Sequence, residues 1–163
     1  MPFPVSIGGV VRTPVDRADP KRMPTIAQHV TDMLGAAGAS HVIQSGHAVQ
    51  FSTGFFRGVG NRHVLVQLGT GTIEIEDGPL EMRVTYRAST VRMLVIVTAV
   101  LCVPAAVLVS MTQTSPALSD LPAWFPALGV GIAWLWVFGG NYWMTKTRFR
   151  RWLEQGVRHA LQG

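Results

Sequence analysis

The residues best suited to chemistry in this 163-residue chain are few, and most lie between positions 41 and 81. His41, His47 and His63 each stand at the end of a short alternating segment, so a fold could bring them together. Zinc sites usually have four ligands that include cysteines or closely spaced histidines. The single cysteine, Cys102, lies far away within an apolar stretch. We therefore predict no metal site and no cofactor.

Glycine pairs at Gly58–Gly60 and Gly69–Gly71 raise the question of phosphate binding. A dinucleotide fingerprint needs GxGxxG between a strand and a helix, and a P-loop ends in GK[ST]. Neither pattern occurs, so we interpret these glycines as turn residues. No serine or threonine has the spacing of an activated nucleophile, and we predict that the chain is not an enzyme. Its clustered acids are interpreted as the solvated face of a hairpin: Glu74, Glu76, Asp77 and Glu81.

One glycine-rich connection carries the best candidate for a contact with a partner. Phe55 and Phe56 are adjacent, so they cannot both point into one core, and we predict that one is exposed. An exposed aromatic beside Arg57 and Arg62 is typical of a docking point for a protein or for lipid headgroups. The alternative is a loop folded over the sheet. Nucleic acid is disfavoured, because residues 1–92 carry nine Arg/Lys against seven Asp/Glu and no basic stripe.

The pattern of the first half predicts a small α+β domain over residues 24–90. Pro24 and Thr25 are typical of a helix start, and Gly38 is typical of a helix end. Beyond this helix, apolar and polar residues alternate with the period of two that predicts an antiparallel meander of about five strands. The predicted strands are 41–45, 47–52, 64–68, 73–76 and 80–87. Residues 1–23 are proline-rich and are predicted to form an extended N-terminal arm, in which 5–12 is a candidate short strand.

Two apolar stretches follow, over residues 91–111 and 123–144, separated by a short external loop over 112–122. Neither Met93–Met111 nor Trp124–Met144 contains a charged residue, and each is about as long as the roughly 20 residues needed to span a bilayer. We therefore predict a two-helix transmembrane hairpin. Small residues on both helices allow close packing, either within the chain or between copies, which leaves a homo-oligomer open.

Charge position orients this hairpin. Basic residues precede the first stretch and follow the second, whereas the connecting loop carries only Asp120. Basic residues near a membrane stay on the cytoplasmic side. We therefore predict a multi-pass protein of the inner (plasma) membrane with both termini cytoplasmic. The preference for arginine over lysine, with abundant glycine and alanine, favours a bacterial source.

The tail over residues 145–163 is predicted to be a basic amphipathic helix. Its basic residues are candidate lipid or partner contacts: Lys146, Arg148, Arg150 and Arg151. Its apolar residues share one helical face: Phe149, Trp152, Leu153, Val157 and Leu161. We expect this face to lie on anionic headgroups. The alternative is that it covers the front domain.

These patterns favour a small inner-membrane protein that acts as an interaction or accessory subunit through its cytoplasmic domain. Its expected partners are the lipid bilayer and a protein. The alternative is an immunity factor whose hairpin blocks a pore-forming or envelope-acting toxin. A membrane-bound enzyme would need a concave pocket holding titratable groups with shifted pKa values.

Overall fold

The computed structural model describes residues 5–15, 22–54, 64–65, 67–78, 80–114, 122 and 124–162. The elements follow in the order β1 (Ser6–Pro14), α1 (Arg22–Ala36), β2 (His41–Ser45), β3 (Ala48–Ser52), β4 (Thr70–Asp77), β5 (Glu81–Ser89), α2 (Val91–Thr114) and α3 (Trp124–Gln162). They form two compact units. The first consists of Met1–Arg92 with Met144–Gly163, and the second of Met93–Trp143.

The first unit is built on a five-stranded antiparallel sheet of order β1-β5-β4-β3-β2. Strands β2 to β5 form a meander, and β1 pairs with the far side of β5, from Ser6 opposite Ser89 to Pro14 opposite Glu81. The tight loop between β2 and β3 contains Gly46, whose φ of 60° is readily adopted only by glycine. These observations confirm the α+β class with an antiparallel five-stranded sheet.

One of the five strands of the predicted meander differs in the structure. Val64, Leu65 and Gln67 lie in turns, so the predicted strand over 64–68 is wrong. Leu65 is nevertheless buried, which shows that a turn can bury the apolar residues whose alternation indicated a strand. The fifth strand is β1, which confirms the candidate short strand over 5–12 and extends it to Pro14.

A close contact shows how β1 accommodates Gly9. A Cβ atom at Gly9 would lie 2.6 Å from the hydroxyl oxygen of Tyr86, so the tyrosine ring occupies the space above this glycine. Glycine normally weakens a strand, because it has no side chain to pack. Here the missing side chain makes room for an aromatic ring of the neighbouring strand.

One face of the sheet is covered by α1 and by the C-terminal part of α3. Helix α1 contributes four buried side chains: Ile26, Ala27, Val30 and Leu34. Helix α3 contributes Phe149, Leu153 and Val157, all with 0% exposure. Opposite them, the sheet contributes ten buried apolar residues: Ile7, Val11, Val49, Phe51, Ile73, Ile75, Met82, Val84, Tyr86 and Ala88.

This burial shows that the expectation of an apolar tail face lying on lipid headgroups is wrong. The alternative is correct: this face covers the front domain. The ring of Phe149 meets that of Tyr86 edge-on at 5.2 Å and that of Phe51 at 6.1 Å between centroids. Gly156 lies directly against the side chain of Met33 on α1. The C-terminal segment is therefore a core helix of the first unit.

The second unit contains two helical segments that contact each other. The indole N–H of Trp134 donates to the hydroxyl of Thr98 at 3.1 Å. The Trp134 ring stacks on Phe138 at 5.0 Å, and Phe138 is buried together with Met93 and Val97. Most other large apolar side chains of this unit are exposed.

Among the described residues, one helix is long and apolar enough to cross a membrane, over Val91–Met111. Only 12% of this stretch is buried in the protein. The apolar half of α3 contains several tryptophans and glycines, which make it less hydropathic than α2. The structure thus shows one candidate membrane helix where the sequence predicted two.

Candidate functional site

Within the first unit, the face of the sheet opposite α1 and the C-terminal part of α3 is covered by no other described element. Because side chains alternate along a strand, every second residue points to this open face. The strand register places His41 opposite Ser52, Ser52 opposite Thr70, and Ser6 opposite Ser89. The result is a transverse row at one end of the sheet, here called the hydroxyl row: Ser6, Ser52, Thr70 and Ser89, with His41 at the β2 edge.

This row lines a concave surface with a volume of about 600 Å³, which we call the hydroxyl cavity. Its second row includes Gln50, Thr72 and Arg87, whose register places Gln50 opposite Thr72 and Thr72 opposite Arg87. The described lining contains no Asp or Glu. Hydroxyl, amide and guanidinium groups can all donate hydrogen bonds, and a guanidinium fork matches the geometry of phosphate or carboxylate. The cavity is therefore suited to an anion.

The opposite end of the open face is a mosaic of both charges. Arg83 donates a hydrogen bond to Glu81 at 2.8 Å, and both side chains are partly exposed. This hydrogen bond lowers the pKa of Glu81, and Arg12 lowers it further through its charge. The same contact raises the pKa of Arg83. The register also places Glu76 opposite Arg83. We call these four residues, Arg12, Glu76, Glu81 and Arg83, the charge mosaic.

The structure separates the predicted contact residues into two groups. Phe55, Phe56, Arg57 and Arg62 lie outside the described residues. The segment that leads to them is held at Gly54, whose carbonyl accepts a hydrogen bond from Arg92 at 2.9 Å and whose N–H donates to Ser40 at 2.7 Å.

The second group is the basic set on α3, and all four of its members are exposed: Lys146, Arg148, Arg150 and Arg151. On the same helix, Phe149, Leu153 and Val157 are buried. Thr145 hydrogen-bonds the side chain of Gln67, which further ties this part of α3 to the domain. The basic side chains are thus exposed on a helix that is packed against the first unit through Phe149, Leu153 and Val157.

The three histidines are not brought together in the part of the chain that the structure describes. His41 lines the hydroxyl cavity, His47 lies in the loop between β2 and β3, and His63 is outside the described residues. Within the described ranges, no group of three His, Cys, Asp or Glu side chains is arranged to hold a metal ion.

Sequence reasoning missed the hydroxyl cavity, because its polar residues come from all five strands. Each is an ordinary polar residue within an alternating segment. Only the pairing of strands shows that four hydroxyls share one row. The available signal was local: every second residue of β4 and β5 is polar. This alternation indicates that one face of each strand is solvated, but it does not show which residues of other strands lie beside it.

No protein-family model matches this chain, no curated protein is detectably similar to it, and no solved structure matches its fold.

Proposed function

We propose that this chain is an accessory subunit of a bacterial inner membrane. Helix α2 and the apolar half of α3 insert as a two-helix hairpin, and both termini are cytoplasmic. The α+β unit then lies at the cytoplasmic surface and binds a protein partner through the charge mosaic of its open face. The observation that carries the proposal is the exposed apolar surface of Val91–Met111, of which only 12% is buried. Water-soluble monomers rarely expose so large a continuous apolar patch.

Insertion of the second helix is supported by the composition and contacts of its first half. Residues 124–143 contain no charged side chain. Trp124 and Trp143 are 62% and 70% exposed, as expected for aromatic residues at the two membrane interfaces. The hydrogen bond from Trp134 to Thr98 supports pairing of this segment with α2 as a hairpin.

The orientation is supported by four exposed basic residues in the two helical turns after Trp143. The connection between the helices carries one acid, Asp120, and no base. An excess of Lys and Arg beside a span is typical of its cytoplasmic side.

A protein partner is supported by the charge mosaic. Arg12 and Arg83 lie opposite each other in the register, with Glu81 and Glu76 beside Arg83. Alternating charges on a flat sheet suit a polar protein surface of complementary pattern, and such complementarity contributes mainly to specificity and association rate.

The native cysteine provides the first test. Cys102 lies within α2 and is exposed in the isolated chain. In inverted membrane vesicles, Cys102 should resist a water-soluble maleimide until denaturant is added, because a thiol within the bilayer core is shielded from water. An Arg158→Cys variant should react at once, because Arg158 is exposed on the proposed cytoplasmic segment. Equal labelling of the two positions would contradict the span, and labelling of position 158 in intact spheroplasts would contradict the orientation.

The second test addresses the partner. A photoreactive residue at Thr85, on the open face, should crosslink to one protein in native membranes. Arg83→Glu should abolish that crosslink by reversing a charge of the mosaic. Arg158→Glu is the matched control, because this arginine is also exposed and also paired with a glutamate, Glu154, but lies on α3. Crosslinks only to other copies of the chain, or equal loss in both variants, would contradict the accessory role.

A further inference from the structure

The short junction between the sheet and α2 limits how far the hydroxyl row can lie from the start of α2. Only Thr90 separates the end of β5 at Ser89 from the start of α2 at Val91. Thr90 is buried, and its N–H donates to the carbonyl of Val5 at 2.8 Å, so the junction is anchored to β1. Consecutive Cα atoms are about 3.8 Å apart, so Ser89 lies within about 8 Å of Val91.

This distance is comparable to the thickness of the lipid headgroup layer, which is about 5–8 Å on each side of the hydrocarbon core. If α2 enters the bilayer at Val91, Ser89 lies at headgroup depth. Ser6 and Thr70 belong to the two strands beside Ser89, and neighbouring strands are about 5 Å apart. The central part of the hydroxyl row therefore lies within about 13 Å of Val91, which places it close to the headgroups if α2 enters the bilayer there.

The chemistry of the cavity matches that location. Arg87 supplies a permanent positive charge, and the four hydroxyls supply short, neutral hydrogen-bonding groups. The acids of β4 and β5 on the open face, such as Glu74 and Glu81, lie outside the described lining. Guanidinium and hydroxyl groups without a competing carboxylate are well suited to a phosphate diester.

The rim of the cavity favours a lipid over a free phosphate compound. Val5, Ile43 and Val91 line the same cavity and are 42%, 61% and 47% exposed. A site for a small polar phosphate would not benefit from exposed apolar side chains. A phospholipid presents its phosphate next to apolar glycerol and acyl groups, which these side chains can contact.

We propose that the hydroxyl cavity binds the phosphate of an anionic phospholipid headgroup, and thereby fixes the junction of β5 and α2 at the membrane surface. This proposal rests on the membrane insertion proposed above. Arg87 is the principal phosphate contact, supported by the hydroxyls of Ser6, Thr70 and Ser89. The bound lipid is a structural ligand of the domain, distinct from the lipid that surrounds the hairpin.

The test measures lipid binding to the full chain, purified in detergent, by native mass spectrometry. Short-chain phosphatidylglycerol is titrated against phosphatidylcholine. We expect one high-affinity adduct of phosphatidylglycerol, and Arg87→Gln should weaken it about tenfold or more, the typical effect of losing a charge-assisted hydrogen bond. Arg83→Gln is the matched control: it removes the same charge from the same face of β5, outside the cavity lining, and should change the affinity less than about twofold.

The comparison of these two variants is decisive, because the exposed basic residues of α3 also attract anionic lipid. Equal loss in Arg87→Gln and Arg83→Gln, or equal binding of the two lipids, would overturn the proposal. Displacement of the adduct by millimolar glycerol phosphate would overturn the lipid assignment in favour of a soluble phosphate compound.

The same chains in phosphatidylglycerol nanodiscs separate this proposal from the one on which it rests. If Cys102 is protected from maleimide but the two variants bind lipid equally, the hairpin stands and the cavity assignment fails. If Cys102 reacts freely, the span fails and the cavity assignment fails with it.

Discussion

Replacing Phe149 with alanine should destabilise the α+β unit by about 3–5 kcal/mol, the typical cost of removing a buried phenyl ring. Phe149 lies in the C-terminal part of α3, after the apolar half of that helix. Its ring is nevertheless fully buried. The ring lies 5.2 Å from that of Tyr86, 6.1 Å from that of Phe51 and 5.7 Å from that of Trp152. The variant therefore tests whether the end of α3 is part of the domain core.

The magnitude follows from three effects. Removing a fully buried phenyl group loses about 2–3 kcal/mol of favourable burial, and the cavity that remains adds to this cost, since the sheet can relax only in part. The edge-on contact with Tyr86 contributes about 0.5–1.5 kcal/mol beyond burial. Because small domains are stable by only about 5–15 kcal/mol, the loss is a large share of the total.

The assay is urea unfolding of the full chain in mild detergent, followed by pulse proteolysis of the α+β unit. The midpoint should fall by at least about 1 M, given typical slopes of 1–3 kcal/mol per molar urea. Arg148→Ala is the control, because it changes the preceding, exposed residue and should stay within about 0.5 kcal/mol. If the two variants unfold at the same urea concentration, Phe149 is not in the core of the α+β unit. The C-terminal part of α3 would then be better explained as a helix that lies on lipid headgroups.

Two further predictions concern the sheet. Gly71→Ala should cost about 1–3 kcal/mol in thermal unfolding, because its Cβ would lie 2.5 Å from the Phe51 ring and 2.9 Å from a backbone carbonyl of β5. Gly69→Ala has no neighbour closer than 3.9 Å, so an equal loss there would contradict this reasoning. Arg83→Ala should raise the pKa of Glu81, measured by carboxyl NMR, since the Arg83 hydrogen bond is the main cause of its lowered value. The contribution of this pair to stability should be present at neutral pH and be lost as the pH falls through the pKa of Glu81 in the folded protein, and an unchanged titration would show that the pair does not form.

Local sequence patterns predicted the elements in which the spacing of apolar residues directly shows which face contacts the core. The alternation of Met82, Val84 and Tyr86 with polar residues predicted β5, and each of these three side chains is buried. Helix α1 was predicted from its apolar spacing and from Gly38, which has a positive φ of 89° just beyond the helix end. Periodicity succeeds here because one face of each element contacts the core.

The candidate site could not be predicted in the same way. The hydroxyl cavity joins residues as distant in sequence as Ser6 and Ser89, and only the strand register makes them neighbours.

By itself, the sequence determined that the chain has an α+β part and a long apolar helix, since periodicity and the absence of charge are properties of contiguous residues. Only the tertiary structure decided where the stripe of Phe149, Leu153 and Val157 is buried. An amphipathic helix has the same spacing whether its apolar face meets a bilayer or a sheet, because both remove that face from water. The choice depends on which apolar surface is complementary in shape, and here that surface is the sheet, with the rings of Phe51 and Tyr86 against Phe149.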